Sequence, residues 1–309
     1  MRHVSLNGSK NSSAKTGQPE ADSASTGPTQ RSYTLKPLAA PLDPRIHAYR
    51  NDIADIALAD RIALPHYVAP VMRQIGQPIA NLYAEPSETS ELGSQLLFGE
   101  GFALLDLDDG WAWGYGLHDH FVGFVRKDSL VAKEKATHVI SALSTSTDGS
   151  APLFMGSRIT GAIDGEALVM DGRTVALKDI RSIEETVTDP VGVAETFVGA
   201  PYLMGGRSAE GVDCSGLVQL SLAMAGHQVH RDSDLQQASI GETLSDDTQI
   251  QRGDLVFFPS HVGLMVDGET LIHASGHNGQ VCTEALADVA ARIGEDHDQP
   301  VLARRRIAG

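Results

Sequence analysis

The sequence predicts an α+β protein in which two small β-barrels precede a domain built on a buried helix and short strands. Three observations carry this. First, the glycine-rich stretch PYLMGGRSAEGVDCSGLV, from Pro201 to Val218, gives way to an apolar run in which Leu217, Val218, Leu220, Leu222 and Met224 recur at helical spacing, placing Cys214 in the first turn of a helix. Second, residues 253–275, GDLVFFPSHVGLMVDGETLIHAS, read as three strands rich in Val, Leu, Ile and Phe, with Pro259-Ser260 and Asp267-Gly268 as the turn signals. Third, residues 66–132 break into short β runs, and the Leu97-Phe98-Gly99 among them returns as Phe154-Met155-Gly156.

In chain order, residues 1–32 are rich in Ser, Gly, Thr and Asn, bury too little apolar surface to offset their ordering entropy, and are expected to be disordered. Residues 33–65 form a helical or strapping segment: Asp43-Pro44 is a start signal, and Ile46, Tyr49, Ile53, Ile56 and Leu58 follow at mixed helical spacing. Residues 66–132, with PIANLYAEP, WAWGYG and FVGFVRKDSL, make the first barrel, and 133–186, with GEALVMDGRTVALKDI, the second. From 187 to 309 runs the domain of the buried helix; Val191, Ala194, Phe197 and Val198 lead into it as a short amphipathic helix, and Gly226 stops the long one. If the last hairpin closes through a three-residue loop ending in Gly268, Met265 pairs with Glu269 and His261 falls opposite His273.

Composition narrows the function. At 309 residues the chain holds two or three domains, and its 41% hydrophobic and 21% charged residues are those of a globular protein. A net charge of -16 argues against nucleic acid or an anionic membrane as the partner. Both cysteines, Cys214 and Cys282, are read as reduced thiols, with no special role for Cys282. No apolar run near the N-terminus resembles a signal-peptide core and nowhere do 18 apolar residues run together, so the expected location is cytoplasmic.

A cysteine at a helix N-terminus feels unpaired N–H groups and the positive end of the helix dipole, which favour the thiolate nucleophile. Two histidines at hairpin spacing downstream supply a base and an orienter, so Cys214, His261 and His273 have the parts of a cysteine peptidase triad. Pro-Tyr-x-x-Gly-Gly at 201–206, Asp-Cys-Ser-Gly-Leu-Val at 213–218, Gly-Asp-Leu-Val-Phe at 253–257, His-Val-Gly at 261–263 and His-Ala at 273–274 occur in the order of one family. With these five pieces the segment resembles the NlpC family of papain-like cell-wall cysteine peptidases, closely from 187 onward and more loosely before it.

The resemblance implies a papain-like catalytic domain preceded by bacterial SH3-like barrels, as in enzymes that recycle wall peptides. It implies Cys214 as nucleophile, His261 as base, His273 as orienter, and the helix N–H groups, with the Tyr202 hydroxyl, as oxyanion donors. It also implies that Asp213, Ser215 and Ser233 hold the free α-amine of an N-terminal L-alanine, with Glu85 and the Phe121 loop of the first barrel closing the cleft. On the residues alone, Asp213 reads first as an N-cap. Family members often carry a tyrosine where Phe121 stands, so one polar contact is missing. Arg207 and Arg231 are either solvated or meet substrate carboxylates. No metal or other cofactor is expected: His118, Asp119 and His120 lack a completing ligand and read as a loop.

The expected function is hydrolysis of the γ-D-glutamyl to L-diamino acid bond in short murein peptides with a free N-terminal L-Ala. Two alternatives stand beside it. One is a wall-fragment binding or adaptor protein; the other is an amidase or acyltransferase on another acyl group.

Overall fold

A computed structural model describes residues 41–307 except 148, 149 and 171; the expected disordered tail, 1–32, lies outside the described residues. The segment after it is a strap and not a helix. Asp43 takes the Arg45 N–H on its carboxylate (2.9 Å) and the His47 N–H on its carbonyl (3.0 Å), which closes a turn. Ile53–Asp55 then pairs in parallel with His66–Val68, and Leu42, Ala54 and Leu58 pack with Tyr49 and Tyr67 in a small core of their own. The mixed apolar spacing serves that core and the barrel behind it, so no helical stripe forms.

The first barrel is a seven-stranded antiparallel sheet in the order 92–97, 79–83, 122–126, 111–116, 101–108, 71–75 and 130–132. Alternate residues point inward, and Ile75, Leu82, Leu96, Phe102 and Val125 make its core together with Phe121. The second β unit consists of three small antiparallel sheets between His138 and Ser182 around Ile140, Leu153, Ile159, Leu168 and Val175. The repeat seen in the sequence is one turn used twice. Gly99 (φ 74°) and Gly156 (φ 93°) both adopt left-handed backbone, each donating its N–H to an isoleucine carbonyl, Ile75 at 2.8 Å and Ile140 at 3.0 Å. The turns abut each other, with Arg158 donating its N–H to Phe98 O at 2.7 Å.

Behind them lies a six-stranded antiparallel sheet in the order 242–243, 303–306, 255–258, 261–265, 270–275 and 280–285. Four helices complete this part: α1 (Pro190–Glu195), α2 (Cys214–Met224), α3 (Ser233–Ser239) and α4 (Leu286–Ile293). Leu255 and Phe257 face α2, whereas Val256 and Phe258 face α4. Coverage on both faces explains why Leu255–Phe258 is apolar throughout instead of alternating. Leu97, Phe154 and Met155, from the two glycine turns, join Leu217, Leu220 and Leu222 in the α2 core, so both β units brace the same helix.

Two expectations are corrected. The 270–275 strand pairs with Leu264 opposite Ile272 and Met265 opposite Leu271, two places from the expected register. Asp267 causes this by accepting the N–H groups of Glu269 and Thr270, both at 2.8 Å, so the loop is Asp267–Glu269. The slip is an even number, which keeps His261 and His273 on one face but makes them diagonal neighbours. The second correction concerns the arginines. Arg207 and Arg231 are each 1% exposed, neither solvated nor facing substrate. Arg207 binds Glu100 (2.8 and 3.0 Å) and Gln95 O (2.7 Å) of the first barrel, while Arg231 joins Asp213 to the barrel's Ser94. The His118 loop belongs to the same seam: His118 Nε2 lies 3.2 Å from Asp119, which accepts from Gln219 of α2 at 3.0 Å.

Candidate active site

α2 begins where it does because Asp213 caps it, taking the Gly216 N–H at 2.7 Å. The same carboxylate accepts from Gly205 N (2.7 Å), Ser215 Oγ (3.2 Å) and both Arg231 Nη atoms (2.9 and 2.6 Å). The helix therefore starts on a buried ion pair, with Cys214 as its first residue and only 7% exposed.

The N-terminal position does not make the thiol acidic, as the sequence reading expected. Burial and the neighbouring Asp213 charge push Cys214 up to about 12, while the backbone N–H groups of Val262 and Ser215 that face the sulfur work the other way. Burial also pulls His261 down to about 3, and the His273 and Arg292 charges add to that. At neutral pH the resting groups are a thiol and a neutral imidazole.

His261 opens its strand directly after a two-residue turn in which Pro259 fixes φ and Ser260 takes φ 55°. It is the residue before the N–H that faces the sulfur. Its Nε2 lies 2.7 Å from His273 Nδ1, and His273 Nε2 lies 2.9 Å from Glu284 Oε2. Glu284 is in turn gripped by both Arg292 Nη atoms of α4, each at 2.9 Å, and by Asn278 Nδ2 at 2.8 Å. The sequence motifs mark His261 and His273 but not this continuation. The signal available was the polar pair Cys282 and Glu284 at alternate positions of the strand beside His273.

Asp213, Cys214 and Ser215 line one cleft of about 840 Å³ together with Ser233 at the start of α3, and with Glu85 and Phe121 of the first barrel. Phe121 is also part of the barrel core, so its ring both packs inward and forms wall. Tyr202 is close enough to Cys214 for the thiolate's charge to help raise its phenol, after burial, to about 12. Its hydroxyl is directed at Met204 Sδ, 3.9 Å away. The strap forms part of the rim unforeseen from sequence: Arg45 binds Asp232 and Asp234, both at 2.7 Å, and Asp43 at 2.8 Å.

A cysteine at a helix mouth in a walled cleft, with a pair of bonded imidazoles that starts one residue from the Val262 N–H facing the sulfur, is the equipment for acyl transfer. Residues 199–291 match the NlpC/P60 family. The chain belongs to the NlpC/P60 family of cysteine peptidases, which hydrolyse peptidoglycan. Within the first barrel of this NlpC/P60 protein, residues 82–130 match the bacterial dipeptidyl-peptidase Sh3 domain. The chain is 25% identical to dipeptidyl-peptidase 6 of Lysinibacillus sphaericus, over 67% of this chain and 89% of that protein. It is 36% identical to the gamma-D-glutamyl-L-lysine dipeptidyl-peptidase of Bacillus subtilis, over 29% of this chain and 32% of that protein. An NlpC/P60 family protein from Bacillus cereus shares the fold, with a TM-score of 0.67 and 16% identity over 77% of this chain and all of the other. Among the described residues no helix is long and apolar enough to cross a membrane.

Proposed function

We propose that this peptidase cleaves the γ-D-glutamyl to L-diamino acid bond of short murein peptides carrying a free N-terminal L-Ala. The observation behind it is the make-up of the cleft: the first barrel and the strap wall Cys214 in, and the barrel's Glu85 and Glu91 with Asp232 and Asp234 at the start of α3 line it with carboxylates, which suits a short chain ending in an ammonium. The relatives named for dipeptidyl-peptidase and γ-D-glutamyl-L-lysine activity support the bond assignment.

Cys214 Sγ attacks the γ-carbonyl as its proton passes to His261, and the N–H groups at the mouth of α2 face the developing oxyanion. His261 returns the proton to the leaving amine as the C–N bond breaks, leaving a thioester. Water, deprotonated by His261, then releases L-Ala-γ-D-Glu. His273 holds His261 in place. Ser215, Ser233 and Glu85 surround the ammonium with Asp213; because Arg231 already neutralises Asp213, the net negative charge comes from Glu85 and from the rim, where Asp232 and Asp234 share the single Arg45 cation.

Chromatography of the tripeptide L-Ala-γ-D-Glu-L-diamino acid after incubation tests this. The wild type should release L-Ala-γ-D-Glu and Cys214→Ala should not; undiminished release by that variant ends the nucleophile assignment. N-acetylation of the substrate should lower kcat/KM by at least about tenfold, and indifference to it removes the recycling role in favour of another acyl substrate. The reading includes a cytoplasmic location, which cell fractionation checks.

A further inference from the structure

The proposed base needs its lone pair on the nitrogen that meets the cysteine, and a histidine offers that lone pair in only one of its two neutral tautomers. In this chain His261 Nε2 is engaged with His273 Nδ1, so Nδ1 is the ring nitrogen left over for the base role proposed above. Which of the two engaged nitrogens carries the proton is decided one residue further along. His273 is 1% exposed, and its other nitrogen, Nε2, meets the Glu284 carboxylate.

We propose that Glu284 is a positioning residue that sets the tautomers of both histidines. An ionised carboxylate only accepts, so His273 must donate from Nε2 and present a bare Nδ1. His261 must then donate from Nε2, and its Nδ1 is left bare as the base. The inference rests on the roles given above to Cys214 and His261. Arg292, by bonding both oxygens, holds Glu284 below the ordinary carboxylate range despite some burial, so it remains an acceptor at neutral pH.

His273 Nε2, Cys282 Sγ and a Glu284 oxygen lie within 4.8 Å of one another, a spacing that also suits a metal ion. The carboxylate is already committed: Oε1 receives one Arg292 donor, and Oε2 receives Arg292, Asn278, His273 and the Cys282 thiol. Such crowding favours a fixed hydrogen-bond chain over a ligand set.

Two variants separate acceptor from charge. Glu284→Leu removes the acceptor at similar volume. Glu284→Gln loses the charge but keeps an acceptor toward His273, because four donors converge on the Oε2 position and only one on Oε1. Nitrogen-15 NMR of the full-length protein should show His261 and His273 protonated at Nε2 in the wild type and in Glu284→Gln, and a mixture of tautomers in Glu284→Leu. On the tripeptide, kcat of Glu284→Leu should fall roughly 10- to 100-fold with KM within twofold, whereas Glu284→Gln stays within about threefold of wild type. Unchanged tautomers in Glu284→Leu, or a Glu284→Gln variant as damaged as Glu284→Leu, overturns the proposal. The NMR result stands apart from the nucleophile assignment, which only Cys214→Ala tests.

Discussion

The two glycine turns are the same backbone device put to different use. Both present a left-handed glycine and adjoining apolar residues to the back of α2, and both follow the glycine with a polar residue that caps the turn. In the first barrel that residue is Glu100, which accepts the Leu97 N–H at 2.8 Å and also holds the buried Arg207. In the second β unit it is Ser157, which accepts the Phe154 N–H at 3.3 Å. One turn is a charged latch and the other a neutral brace. The comparison shows how a repeated unit specialises: the turn in the half that walls the cleft carries an ion pair to Arg207, just ahead of α2, whereas the other turn is capped by a neutral hydroxyl and its unit reaches α2 by packing and through Arg181, which donates to Met224 O at 2.7 Å.

Removing the latch should have the largest effect. Arg207→Met leaves Glu100 buried without its cation beside Asp119, and should destabilise by roughly 3–5 kcal/mol in denaturant titration. A loss near zero would mean that the barrel is held by packing alone.

Next come the glycines. A methyl group at position 99 would sit 1.8 Å from Arg158 O, whereas at 156 its nearest neighbours are the Leu220 and Leu97 side-chain tips at 3.1 and 3.2 Å. Gly99→Ala should therefore lose roughly 3 kcal/mol and Gly156→Ala about 1 kcal/mol. Equal losses would show that strain in φ, not the close approach, governs both turns.

The latch should also titrate. Burial raises the Glu100 carboxyl, but the Arg207 and His118 charges outweigh it and hold the group at about 2 against an ordinary value of 4.5. The stability it contributes is present above 4.5 and is lost as pH falls toward 2. Thermal melts between pH 5 and 2 should thus show a steeper acid limb for the wild type than for Glu100→Gln; parallel limbs would put the acid sensitivity elsewhere. The smallest effect is expected for Ser157→Ala, about 1 kcal/mol or less, from one uncapped N–H.

Local signals were legible in the sequence because they act over a few residues. Asp213 before the apolar run marks the start of α2, Gly226 (φ 89°) its end, and Pro259-Ser260 the turn before His261. The family pattern drew Asp213, Cys214, Ser215, Ser233 and Glu85 together, and all five line one cleft. What stayed hidden depends on partners far apart in the chain. Arg231 reads as a surface residue until Ser94 and Asp213 close around it, and Arg207 until Glu100 does. Glu284 becomes informative only through a strand register, and Cys214 loses its acidity to a burial that no window of sequence reports. The hairpin slipped because Asp267, taken as part of a turn signal, bonds two N–H groups ahead.

The seam between barrel and α2 bears on portability. Cutting the chain near residue 187 to obtain the hydrolytic half alone would strip Arg207 of its counter-ion and lay bare the patch where Leu97, Phe154 and Met155 sit. Grafting that half behind a different N-terminal module would face the same obstacle. A lineage carrying this seam is committed to inheriting its modules as a set.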